Sequence, residues 1–333
     1  MRSILVPVLC IAAACFAAEA RGDKPMLYWS QTDFHSGTMQ RSPLAGEKGV
    51  FRTVLRDIER PWGMALDLKA RKMYWADYAL GVIKRANLDG TDVETVVDKA
   101  REVFDIEIDF AEGKLYWVRC GAGDQSVMER ANLDGGKRER LSWAGTHCFA
   151  AVAIDPVRRK VYWTQFHPED RLRRANLDGT DIEDVVLGGV RSGGIALDTK
   201  AGKIYWTSDD QEISWANLDG SGASVLRKVD GNVMALLVDE KNGHLYWSLV
   251  DQDGLIQRGS LDGTGDVETV IKDSGPAFGM ALDLDGGPDK LAAADAKPAD
   301  GAKPADPAKP GEEAKKADDA KPLESEKPKD PRP

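Results

Sequence analysis

The sequence predicts an all-β protein, a single six-bladed β-propeller of four-stranded blades. Three observations predict it: an aromatic pair that recurs six times, a turn sequence that recurs in phase with it, and no helical periodicity between them. The pair is Tyr-Trp, at Tyr28-Trp29, Tyr74-Trp75, Tyr116-Trp117, Tyr162-Trp163, Tyr205-Trp206 and Tyr246-Trp247. Its spacing of 41 to 46 residues is the length of one propeller blade.

Each unit divides into four short strands separated by turn chemistry. An apolar-x-apolar-Asp segment precedes every pair after the first and ends in Asp67, Asp109, Asp155, Asp198 or Asp239. After the Trp comes Asn-Leu-Asp-Gly or a relative of it, from Asn87, Asn132, Asn176, Asn217 and Ser260. Asp-Gly suits the turn into an outer strand, because glycine takes positive φ without steric cost and aspartate bonds its own backbone. In the second unit, Met64-Ala65-Leu66 reads as the first strand, Met73-Tyr74-Trp75 as the second and Val82 to Ala86 as the third. Val-rich residues after Gly90 make the fourth.

The count of strands also predicts how the ring closes. A sixth first-strand segment, Gly279 to Asp283, has no Tyr-Trp after it, and the first Tyr-Trp has no such segment before it. The C-terminal strand is therefore expected to complete the blade that begins at Leu27, which removes the free sheet edges of an open stack. Side chains alternate along a strand, so each Tyr and its neighbouring Trp are expected to enter the two different interfaces beside their blade.

These residues resemble the low-density-lipoprotein-receptor class B, or YWTD, repeat β-propellers, from about Met26 to Leu291. The third and fourth motif places are degenerate here, and only Asp77 fills the fourth. The bond that this aspartate makes between blades in the family is thus not implied for the other five. The resemblance implies an exported, non-catalytic module that engages a protein or carbohydrate outside the cytoplasm. The cysteine-rich modules that flank such propellers in animal receptors are not seen in the sequence, so endocytic activity is not implied. The leader, single propeller and Ala-Pro-Lys tail give the composition of a bacterial envelope or secreted protein.

Residues 1–20 read as a signal peptide: Arg2, an apolar run from Ile4 to Ala18, and a small-x-small site ending at Ala20. Cys15 after three alanines offers a lipid anchor as the alternative, without the usual leucine three places earlier. The propeller is expected over 21–291 and a disordered Ala/Pro/Lys/Asp-rich tail over 292–333, where too little is apolar to offset the entropy of folding. No stretch reaches the ~20 apolar residues of a membrane span. Net charge is −10, with 45 Lys+Arg and 55 Asp+Glu dispersed along the chain, so no basic stripe exists for nucleic acid. A monomer is expected. Cys120 and Cys148, the two cysteines beyond the leader, fall where one blade's second strand meets the next blade's first, and a disulfide is expected; two free thiols are the alternative.

Propellers in general bind at the channel mouth, on the face bearing the loops before strand one and after strand two. The candidates there are Trp62, Glu102, Asp105, His147, Arg191, Asn232 and Phe278. Aromatics among mixed charges suit a protein or carbohydrate ligand. No cofactor is expected on this reading. The alternative is a gluconolactonase-like, metal-dependent hydrolase or lyase with a divalent ion in the channel, held by Glu102 or Glu107 with Asp105, Asn232 and Asp230. A weaker metal set combines His147 and His167 with Asp170. No Gly-x-Ser-x-Gly turn appears, so a serine hydrolase is not expected, and no catalytic residue is assigned. The twelve Tyr and Trp residues of the pairs are assigned to the core.

Overall fold

The computed structural model describes residues 24–32, 36–44, 50–121, 126–141, 148–166, 169–191, 193–208, 211–251 and 253–286. The expected leader and tail, together with His147 and His167, lie outside them.

Twenty-four strands form six four-stranded antiparallel sheets, and the described residues form no α-helix. The innermost strands of blades two to six are β4 (Pro61–Asp67), β8 (Val103–Asp109), β12 (Cys148–Asp155), β16 (Ile195–Asp198) and β20 (Val233–Asp239). Blade one closes as the strand count predicts: β1 (Met26–Thr32) lies between its own β2 (Gly37–Pro43) and the C-terminal β24 (Ala277–Asp283). The register sets Tyr28 opposite Ala281 and Trp29 opposite Met280.

The aromatic pairs build the junctions between blades. Tyr74 lies in one buried cluster with Trp117 of the following blade, and Tyr28 in another with Trp75. The rule repeats as Tyr116 with Trp163, Tyr162 with Trp206, Tyr205 with Trp247, and Tyr246 with Trp29 across the closure. Every pair thus spans two interfaces, and all twelve rings are at most 3% exposed. Period-two alternation forces this division, since a Tyr facing one neighbour sends the next residue toward the other.

A second junction element replaces the degenerate aspartate. The Tyr74 hydroxyl donates to the carbonyl of Leu133 in the next blade's Asn-Leu-Asp-Gly turn (3.3 Å), and Arg85 Nη1 donates to the same oxygen (2.9 Å). Tyr116 and Arg130 do so at Leu177, and Tyr162 and Arg174 at Leu218. Blade five keeps the tyrosine bond, Tyr205 to Leu261, but has Trp215 in the arginine's place. Asp77, by contrast, caps its own turn by accepting from Leu80 N. The aspartates that end the innermost strands also cap turns, and two join blades: Arg71 pairs with Asp283 (2.6 Å) and Arg159 with Asp109 (2.8 Å).

Near the mouth the innermost strands carry bulges. The hydroxyl after Tyr-Trp satisfies the backbone there: Gly279 N donates to Ser30 Oγ, Ala151 N to Thr164 Oγ1, and Ala235 N to Ser248 Oγ. Ser30 and Ser248 then donate onward to carbonyls of the next blade, Trp62 and Ala277. Blade three has Val118 in this place, and Asp105 supplies the link instead. Its carboxyl accepts from Ile106 N (2.9 Å) and from Val152 N of blade four (3.0 Å).

Cys120 and Cys148 form a disulfide across the same third-to-fourth junction, with Cα atoms 4.5 Å apart. Replacing both by alanine is expected to lower unfolding free energy by about 3.6 kcal/mol, the chain-entropy value for a ring of this size. Urea unfolding of the double variant against the oxidised parent checks this, and coincident midpoints would show the bond to be idle.

Candidate functional site

The six innermost strands align column by column, and the column nearest the mouth is strongly uneven. It reads Phe278, Trp62 and Phe104 in blades one to three, then Ala150, Gly193 and Met234 in blades four to six. The three large rings meet. Trp62 stacks on Phe278 (centroids 5.3 Å, planes 12° apart) and meets Phe104 edge-on (4.5 Å). Tyr78, in the loop after the second strand of blade two, stacks on the other side of Trp62 at 4.8 Å, and the Arg60 guanidinium lies 5.8 Å from the Tyr78 ring centroid. All four aromatics are half-buried. Mutual stacking fixes their rotamers, so the crescent presents rigid apolar area that costs little entropy to cover.

Of the residues predicted for the mouth, Trp62 and Phe278 are therefore brought together, while Glu102, Asp105, Arg191 and Asn232 are spread over blades three, five and six. Glu102 occupies a left-handed turn (φ 58°) at the entry to β8, where its carbonyl accepts from Cys120 N. Arg191 is exposed on the rim of blade five. Asn232, also exposed, donates its backbone N–H and its carboxamide to Asp251. Asp170 is half-buried, and its carbonyl accepts from Gly188 N. Tyr78, Phe104 and Arg60 were not foreseen. Aligning the six first strands would have singled out Phe104 as the third ring of the column.

Below the crescent lies a channel cavity of about 220 Å³. Its wall is mainly Ala, Ile, Leu, Val and Met, and two carboxyls stand in it on one strand, Asp105 and Glu107. In the other blades the Asp105 column holds Gly63, Ala151, Gly194, Ala235 and Gly279, and the Glu107 column holds Ala65, Ala153, Ala196, Leu237 and Ala281. Burial pushes Asp105 up to about 7 against its two backbone donors. Burial, and then the charge of Asp105, push Glu107 up to about 8. Among the described residues no Lys, Arg or His lines this cavity.

As ligands for an ion, Glu102 and Asp105 belong to blade three and Asn232 to blade six, on opposite sides of the ring. Among the described residues no three His, Cys, Asp or Glu side chains are grouped so as to hold a metal.

The family model for low-density lipoprotein receptor repeat class B matches residues 71–104. The chain is 28% identical over 248 residues to a low-density lipoprotein receptor-related protein 1 of Pyricularia oryzae, covering 60% of this chain and 78% of that one. It is 29% identical over 136 residues to a human low-density lipoprotein receptor-related protein 5-like protein, covering 40% of this chain and 53% of that one. Among solved structures, a chain of a nidogen/laminin complex superposes with a TM-score of 0.70 at 20% identity, covering 79% of this chain and 99% of that chain. A closed ring of six blades, with the Tyr of one pair and the Trp of the next in every junction, defines the class as a six-bladed propeller of the YWTD kind. The chain is thus similar to the low-density-lipoprotein-receptor class B repeat family, with the family model matching across blade two and into blade three.

Proposed function

We propose that this chain is an exported, non-catalytic binding module that holds a protein partner against the mouth face of the propeller. The observation that supports it is the aromatic crescent. Rigid, half-buried Trp, Tyr and Phe with an arginine beside them have the composition of an interface hot spot. The buried aromatics of the repeat are consumed by the junctions, so the crescent is aromatic surface that the fold itself does not require. Similarity to receptor-related proteins agrees with a binding role. Export rests on the leader sequence; among the described residues no helix is long and apolar enough to cross a membrane.

Trp62→Ala tests the face. The variant is expected to weaken capture of the partner by about 2 kcal/mol or more, roughly thirtyfold, as truncation of a central aromatic does. The measurement is a pull-down with the full chain as bait, parent against variant, with thermal unfolding run alongside to confirm that both are folded. Undiminished capture by folded W62A would move the binding surface elsewhere.

A further inference from the structure

We propose that a recess between blades five and six, on the mouth face, binds a single neutral sugar ring. The recess has a volume of about 280 Å³, just under the ~300–1,000 Å³ of drug-sized sites, which suits one six-membered ring. It arises from a local departure from the repeat. The innermost strand β16 has four residues, where its five counterparts have seven or eight. Ahead of it the chain leaves the ladder: Arg191 N donates to the Thr207 carbonyl, and Thr207 N to that of Gly194.

The Thr207 hydroxyl is consequently released. In blades one, four and six the hydroxyl at this motif position accepts a bond from its own innermost strand. Thr207 is 3% exposed, and its Oγ1 has no hydrogen-bond partner. A buried hydroxyl in that condition costs free energy until something bonds to it. Glycine is required beside it, because the backbone at Gly193 packs directly against the Thr207 side chain. A Cβ on Gly193 would meet the Thr207 side chain and approach the Val233 carbonyl to 2.8 Å, and one on Gly194 would come to 2.5 Å of Leu236 N. Gly193 lines the recess, so a side chain there would intrude on it, whereas Gly194 lines the channel cavity.

The wall selects the ligand class. Arg191 and Gln211 offer polar groups at the rim, while Met234 and Val250 offer apolar surface. The one acid in the described wall, Glu212, is already paired with Lys228 at 3.1 Å. A hydroxyl able to both donate and accept, polar groups at the rim and an apolar side together match a pyranose, with its ring of hydroxyls and its apolar face. A free sugar and the end of an oligosaccharide share this chemistry. The inference does not rest on the protein-binding reading of the crescent, which sits on blades one to three.

The test is methyl NMR of the whole chain with 13C-labelled methionine, the Met234 signal being assigned through Met234→Leu. The probes are the methyl glycosides of glucose, galactose and mannose, maltotriose, and glycerol as a control. At least one glycoside is expected to shift the Met234 methyl saturably in the millimolar range. Maltotriose separates the sources: binding shows that a chain end is accepted, and failure beside a binding glucoside shows a site for free sugar. Thr207→Val is expected to weaken the glycoside about three- to tenfold, the worth of one hydrogen bond, with thermal stability unchanged or raised because the lost hydroxyl made no bond. Thr207→Ser should retain binding. The proposal is overturned if no glycoside gives a saturable shift up to about 100 mM, if glycerol matches the best glycoside, or if T207V binds as the parent does.

Discussion

A chain ending at Gly275 should fail to fold cooperatively, while one ending at Gly286 should unfold as the full chain does. The two differ by β24, the strand that completes blade one across the ends of the fold. Without it β1 loses six paired positions, from Met26 opposite Asp283 to Gln31 opposite Ala277. The buried side chains of Met280, Ala277 and Ala281 go as well, and Trp29 loses the carbonyl of an intact neighbouring turn only by rearrangement, since Ser274 remains. Loss of a buried Met side chain alone costs about 2–5 kcal/mol. A domain of this kind has a total stability of about 5–15 kcal/mol, and the exposed edges of β1 and of the neighbouring innermost strands take the remainder. Near-UV circular dichroism and a urea titration of both truncations decide the matter; a shared midpoint would show that the ring does not depend on its closing strand.

Glu107→Gln should remove about half of a loss of stability that the parent shows between about pH 4 and pH 8, the share that belongs to Asp105 remaining. A carboxyl raised in the folded state binds its proton more tightly there than in the unfolded chain, where it titrates near ~4.3. In that window the folded protein holds more protons, so stability falls as pH rises and levels off once the folded group has ionised. Glu107 is pushed up to about 8 and its neighbour Asp105 to about 7, with no cation among the described cavity residues to offset either charge. Glutamine keeps the shape and cannot ionise. At one pKa unit per 1.36 kcal/mol, discounted for channel water, the variant gains about 2–4 kcal/mol over the parent at pH 8.5 and little at pH 4. Urea unfolding at the two values measures it. Parallel pH profiles for E107Q and parent would mean that Glu107 titrates normally, with the channel more hydrated than its apolar wall suggests.

The blade number, the closing strand and the division of each Tyr-Trp pair between two junctions were legible because they follow from strand periodicity and from counting. Chemistry that depends on which backbone atom lies opposite was not. The bond of Tyr74 and Arg85 to one carbonyl requires knowing that the next blade's leucine turn sits beside them. Asp105 was read as a mouth ligand from its place before a strand, yet its carboxyl bridges two blades, because Val118 lacks the hydroxyl that does so elsewhere. The crescent was half visible: Trp62 and Phe278 lie at the entry to a first strand, whereas Tyr78 joins them from the loop after its blade's second strand. The recess was hidden because a shortened β16 leaves no mark in the sequence except two adjacent glycines.

The unevenness of the innermost columns has a consequence for how such a molecule can change. Tyr, Trp and the leucine turns are spoken for by neighbours on both sides, so an exchange at any of them disturbs two blades. The residues that face the axis near the mouth fill none of the buried Tyr-Trp clusters, and in one chain they already range from glycine to tryptophan. Six nearly interchangeable modules thus each contribute one character to a common rim. A new specificity can be spelled there while the architecture beneath it is left untouched.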